Sequence, residues 1–172
     1  PSISARGTSA ATESMTTTST RKYLFCDDEY EEDQLCGYLN QNGDTIISKN
    51  EFEMLFSETF QNFAFVYDKG KFGNEIVAIN RDKKIIFEAF MYENGPDYLS
   101  DGLFRIKQNG KIGFANEKGE VVIPAIYECA YPFEEGKAKV SLSCDTVTDG
   151  FEHYGWESKE WFFINQKGEK VK

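Results

Sequence analysis

Four times along this chain an apolar, aromatic-rich run stops at an asparagine and then turns. The copies are Cys36-Gly37-Tyr38-Leu39-Asn40-Gln41-Asn42-Gly43-Asp44, Ile76-Val77-Ala78-Ile79-Asn80-Arg81-Asp82-Lys83-Lys84, Ile112-Gly113-Phe114-Ala115-Asn116-Glu117-Lys118-Gly119-Glu120 and Trp161-Phe162-Phe163-Ile164-Asn165-Gln166-Lys167-Gly168-Glu169. The asparagines Asn40, Asn80, Asn116 and Asn165 lie 40, 36 and 49 residues apart. Gly43, Gly119 and Gly168 each follow by three residues, and Lys83 takes that place in the second copy. A recurrence of this length is the mark of a repeat architecture.

Each copy reads as a β-hairpin. Asparagine can bond its own backbone, and glycine supplies a positive φ, so Asn-x-x-Gly is a turn. A β-branched strand follows in three copies: Ile46-Ile47, Ile85-Ile86-Phe87 and Val121-Val122-Ile123. A second half-motif comes after them, with an apolar anchor, a turn and an alternating strand. It is clearest as Pro132-Phe133-Glu134-Glu135-Gly136-Lys137-Ala138-Lys139-Val140. Leu99–Ile106 repeats it, and Phe60–Val66 repeats it one residue shorter. Each unit is then about three short strands. So small a sheet cannot bury both faces alone, so neighbouring units must stack.

Residues 112–140 resemble a WG repeat, a family named for a Trp-Gly pair at the start of the first strand. The third copy keeps the glycine as Gly113, with Ile112 in the tryptophan place. The first copy has Cys36-Gly37, the fourth Trp161-Phe162, and the second, Ile76-Val77, keeps neither. The resemblance spans residues 22–172, most strongly 102–140. It implies an all-β array of about four hairpin-based units that serves as a binding or structural module. The family has no common catalytic residues, so none is carried over.

Two stretches interrupt the pattern. Over residues 49–62, Phe52, Leu55, Phe56 and Phe60 fall on one helical face, so a short inserted helix is expected near 50–60. Residues 141–160 enlarge the last linker and carry Cys144, His153, Tyr154 and Trp156. Insertions in repeat proteins tend to form loops on the binding face.

Residues 1–20 are different in kind. Ser and Thr fill 11 of the 20 positions, and no aromatic is present. Such a segment buries too little to offset its ordering entropy and reads as a disordered tail or linker, leaving 21–172 as a single repeat domain. It lacks the apolar centre of a signal peptide. A start at Met15 implies a cytoplasmic protein, and a removed leader implies a secreted or surface one.

The chain carries 29 acidic against 19 basic side chains, a formal charge of −10. That field repels nucleic acid and anionic membrane surfaces and steers in a basic protein. No run of about 18 apolar residues suggests a membrane span. The acidity peaks at Asp27, Asp28, Glu29, Glu31, Glu32 and Asp33, read either as a solvated loop or as a docking patch. Tyr154 and Trp156, with His153 beside them, are of the kind that anchor interfaces. Four cysteines, Cys26, Cys36, Cys129 and Cys144, allow three pairings. No CxxC occurs, so structural zinc is not indicated, and buried thiols are the expected state.

Catalytic chemistry has little to stand on. His153 is the sole histidine. Cys144 precedes it by nine residues, with no third group in evidence to orient a dyad. No P-loop, GxSxG or GxGxxG is present. Asn40, Asn42, Asp44 and Glu51 have the spacing of a calcium loop, but Asn40 stands first and Thr45 sixth, where Asp and Gly are wanted. The expectation is a non-catalytic, cofactor-free protein-binding module, of immunity or adaptor type, acting as a monomer or an edge-paired dimer. The alternative is a calcium- or carbohydrate-binding surface protein, and an enzyme ranks last.

Overall fold

The computed structural model describes residues 22–26, 36–49, 51–68, 75–148 and 154–172, and among them every regular element is a strand. For Lys22, Tyr23 and Tyr154 the description covers the backbone alone.

The asparagine turn is built the same way four times. The Asn40, Asn80, Asn116 and Asn165 N–H groups donate to the carbonyl four residues on, at 2.9–3.0 Å. The N–H three residues on donates back to the asparagine carbonyl at 2.8–3.1 Å. Each side-chain Oδ1 accepts two more N–H groups, from the second and fourth residues after it, at 2.9–3.0 Å. In three copies Nδ2 also reaches the carboxylate of Asp44, Glu120 or Glu169, at 2.7–2.8 Å. The third residue after the asparagine has positive φ each time: Gly43 +84°, Lys83 +60°, Gly119 +78° and Gly168 +78°. That is the physical reason for the glycine.

Strands follow from these turns. The first unit is β1 (Lys22–Cys26), β2 (Cys36–Leu39) and β3 (Thr45–Ile47). Two short strands, β4 (Met54–Leu55) and β5 (Thr59–Phe60), lead into the second unit: β6 (Phe63–Asp68), β7 (Glu75–Asn80) and β8 (Ile85–Ala89). A small hairpin, β9 (Met91–Tyr92) and β10 (Gly95–Pro96), precedes the third unit: β11 (Leu103–Gln108), β12 (Lys111–Asn116) and β13 (Val121–Tyr127). After β14 (Cys129–Ala130) the fourth unit opens with β15 (Lys137–Ser141). It is interrupted by β16 (Asp145–Thr148) and β17 (Tyr154–Glu157), then completed by β18 (Phe162–Asn165) and β19 (Lys170–Val171).

Every unit is an antiparallel meander, and the chain hands over from one to the next by a recurring pairing. Leu55 pairs with Val66, Ala89 with Ile106, and Ala130 with Val140. Val66, Ile106 and Val140 are each the fourth residue of their strand. The second and third units with β4 make one seven-stranded sheet, β13-β12-β11-β8-β7-β6-β4. The first unit with β5 (β3-β2-β1-β5) and the fourth with β14 (β14-β15-β18-β19) are four-stranded sheets.

The core sits at the joints. Tyr38, Ile47, Phe60, Val66 and Ile79 join the first unit to the second. Ala78, Phe87, Phe104 and Ile106 join the second to the third, with Phe63 and Phe65 against them. Phe114, Ile123, Phe133, Val140 and Ile164 join the third to the fourth. One apolar cluster per joint is how a stack of thin sheets removes its faces from water. The glycine of the Trp-Gly position has a packing reason too. A Cβ on Gly37 would lie 2.4 Å from the Ile47 carbonyl oxygen, and one on Gly113 2.6 Å from that of Ile123. Both carbonyls stand seven residues past their asparagine, so the same close approach recurs.

Two expectations need correction. No helix forms near 50–60. Instead Leu55 pairs with Val66, the Phe56 N–H donates to the Phe65 carbonyl at 3.0 Å, and Phe60 is buried in the first joint. Pairing with β6 and burial at the joint override a coincidental helical spacing. The cysteines are not thiols either. Cys26 pairs with Cys36 and Cys129 with Cys144. Cys26 and Cys36 are opposed across β1 and β2, a register that cysteine spacing alone does not show.

Candidate interaction surface

The connection between the first two strands of a unit varies most. In the third unit it is Asn109-Gly110, with φ of +52° and +76°, a tight turn of the type that matches strand twist. In the fourth it is the insertion that runs from Leu142 to Trp161 between β15 and β18. Within it, among the described residues, β16 and β17 pair only with each other, Asp145 opposite Glu157 and Thr148 opposite Tyr154.

Three attachments fix this hairpin to the fold. The first is the Cys129–Cys144 disulfide, tying its start to β14. The second is a serine clasp at its base. The Ser158 hydroxyl donates to the Ser143 carbonyl at 2.8 Å and accepts the Glu160 N–H at 3.0 Å. The fully buried Ser141 hydroxyl lies 2.8 Å from that of Ser158 and accepts the Ser143 N–H at 3.2 Å. The third attachment is Trp156, half-buried between Phe90 (centroids 6.1 Å apart) and Tyr131 (5.4 Å), both edge-on.

Trp156 is thus the centre of an aromatic ladder, Phe90–Trp156–Tyr131–Trp161, whose last step is 5.5 Å. Cations cap both ends. The Arg105 guanidinium lies 4.1 Å from the Phe90 centroid, and Lys139 Nζ lies 4.8 Å from that of Trp161. Arg105 is 4% exposed and bonded to Asp97 through Nε (2.8 Å) and Nη2 (2.7 Å), with Nη1 donating to the Ala130 carbonyl at 3.2 Å. This bidentate pair holds the ladder's floor in place. Two open grooves flank the ladder. One, of about 940 Å³, is lined by Tyr98, Tyr131, Phe163, Lys137 and Lys139. The other, of about 700 Å³, is lined by Cys144, Asp145, Trp156, Ser158 and Trp161.

Of the residues nominated from sequence, Trp156 lies at this centre. Tyr154 is in β17, and its side chain lies outside the described residues, as do Asp27, Asp28, Glu29, Glu31, Glu32, Asp33 and His153. Tyr131, Phe90, Arg105 and Lys139 were not foreseen. Tyr131 carried a signal, since it immediately precedes the Pro132-Phe133 anchor of the repeat. The calcium-loop spacing is a turn: Asn40 Oδ1 accepts backbone N–H groups, and Glu51 pairs with Lys83 at 2.7 Å. Among the described residues no three His, Cys, Asp or Glu side chains gather as metal ligands.

Titration shifts fall on the sheets. Burial pushes the Tyr38 hydroxyl, which donates to the Ser57 carbonyl, up to about 12. Burial also raises Tyr127. Glu88 is raised by burial first and by nearby Glu75 second, partly offset by Lys107.

Residues 78–111 and 112–142 match the family model of the WG containing repeat, as two adjacent repeats that meet inside β12. The first match begins at Ala78, just past the Ile76-Val77 pair that keeps neither the tryptophan nor the glycine. Each match runs from the second strand of one unit through the handover to the first strand of the next. No curated protein and no solved structure matches the chain.

Proposed function

We propose that this chain is a non-catalytic protein-binding repeat module, and that the aromatic ladder around Trp156 is its contact surface. The observation that carries this reading is the insertion itself. Where the third unit has a two-residue turn, the fourth carries a hairpin held at three points with an aromatic at its centre. A half-buried Trp and an exposed Tyr beside cations are of the kind that dominate binding energies at interfaces. The charge of −10 favours a basic partner, and the acidic run at 27–33 is where that charge is densest. An adaptor or immunity-type role fits such a surface.

The test is affinity capture from a lysate of the source organism, with the native chain and Trp156→Ala as baits, washed at low and high salt. A basic protein held by the native chain, released by salt and missed by Trp156→Ala supports the reading. Equal capture by both baits counts against the ladder, and retention at high salt counts against the charge argument.

A second reading is favoured by the larger groove. Its rings, Tyr98, Tyr131 and Phe163, are each 39–47% exposed and stand beside two lysines. Rings with polar neighbours suit an uncharged glycan, and titration with soluble oligosaccharides would distinguish this from protein binding.

A further inference from the structure

Both disulfides engage the connection between the first two strands of a unit. Cys26–Cys36 closes the connection between the first two strands of the first unit. Cys129–Cys144 fixes the start of the equivalent connection in the fourth. Neither ties one three-stranded unit to another; the joints are apolar clusters. The described cross-links therefore constrain connections, while the stack of units is held by the apolar joints and the handover pairings.

The second disulfide governs more than a loop. Among the described residues the β16–β17 hairpin shares no ladder with another sheet, and a lone two-stranded hairpin is marginal in water. Of the three attachments described above, loss of the disulfide leaves the serine clasp and Trp156. The two cysteines also differ in exposure. Cys129 is 2% exposed, whereas Cys144 is half-buried and lines the 700 Å³ groove beside Trp156.

We infer that the Cys129–Cys144 disulfide is a thiol-sensitive latch, which holds the Trp156 hairpin in place in an oxidising compartment and releases it when reduced. The reductant is a dithiol. Its thiolate attacks the sulfur of Cys144, the more exposed cysteine; the S–S bond breaks, and its electron pair leaves on Cys129. The second thiol of the reductant then attacks the mixed disulfide and frees Cys144. Two protons pass from the dithiol to the two cysteines, and the dithiol is left as a cyclic disulfide. The surface would thus be assembled where disulfides persist and dismantled where thiols are kept reduced. That the surface binds a protein rests on the reading above; the latch does not.

The experiment is hydrogen exchange on the full chain, with and without dithiothreitol and with no partner present. Cys129→Ala/Cys144→Ala is run beside it, as is Cys26→Ala/Cys36→Ala, which leaves only the latch to reduce. Reduction is expected to speed exchange over residues 142–160 by about 10-fold or more, while β11, β12 and β15 keep their protection. The Cys129/Cys144 variant should show the fast exchange without reductant, and the Cys26/Cys36 variant only with it. Unchanged exchange over 142–160 on reduction would overturn the inference, as would equal loss of protection in β11 and β12. Because no binding is measured, failure of the protein-binding reading leaves this result standing, and the reverse holds too.

Discussion

The Asp101 carboxylate accepts the backbone N–H of Gly136 at 2.7 Å. The two residues belong to equivalent turns, Asp101-Gly102 and Glu135-Gly136, which open consecutive units, so one turn grips the next. The Gln166 side chain then donates to the Asp101 carbonyl, also at 2.7 Å, and brings in the last asparagine turn. Asp101→Ala removes a charge-assisted bond and places alanine at a φ of +51°. The expected loss is about 1–2 kcal/mol in urea unfolding. Asp101→Asn tolerates the same φ and should lose less.

Two turn glycines share a conformation but differ in surroundings. Gly43 has a φ of +84° and nothing within 4 Å of a Cβ, whereas a Cβ on Gly119 would lie 2.5 Å from the Phe63 ring. Gly43→Ala is expected to cost about 1 kcal/mol, from backbone strain alone. Gly119→Ala adds overpacking and should cost about 2–4 kcal/mol. Thermal unfolding of both variants checks the order, and equal costs would show that the Phe63 contact carries no weight.

The Asp97–Arg105 pair is buried, so removing one partner strands a charge. Asp97→Ala is expected to destabilise by about 3–5 kcal/mol. Asp97→Ala with Arg105→Met removes both charges and should recover most of that. Chemical denaturation of the three chains measures it. Since Arg105 lies under Phe90, the single variant should also shift the fluorescence of Trp156.

Tyr38 links stability to alkaline pH. It is fully buried, with a folded pKa of about 12 against an ordinary 10.0. Its contribution is therefore whole below pH 10 and is lost as pH rises from 10 towards 12, by at most about 2–3 kcal/mol. Unfolding free energy measured across that window should fall less steeply for Tyr38→Phe than for the native chain.

The parts legible in the sequence were those fixed by local chemistry. Asn40, Asn80, Asn116 and Asn165 satisfy their turns with groups no more than four residues on, so the turns and the strands on either side showed through. Two of the three handover strands were not legible, because β4 and β14 are two residues each, too short for any period to register. Phe52, Leu55, Phe56 and Phe60 then fell on a helical spacing by coincidence. The cysteine pairs depended on a strand register and on a fold that returns Cys144 to β14. At the candidate surface, Trp156 was visible as an aromatic in a polar insertion. Its partners Phe90 and Tyr131 come from other segments, and only the tertiary fold brings the three together.

The most direct measurement is a hydrogen-exchange footprint of the chain in complex with its captured partner. Slowed exchange at residues 131 and 142–161 is predicted, because Tyr131, Trp156 and Trp161 form one surface there. Slowed exchange confined to the first two units, residues 22–89, with 142–161 unchanged, would contradict the account.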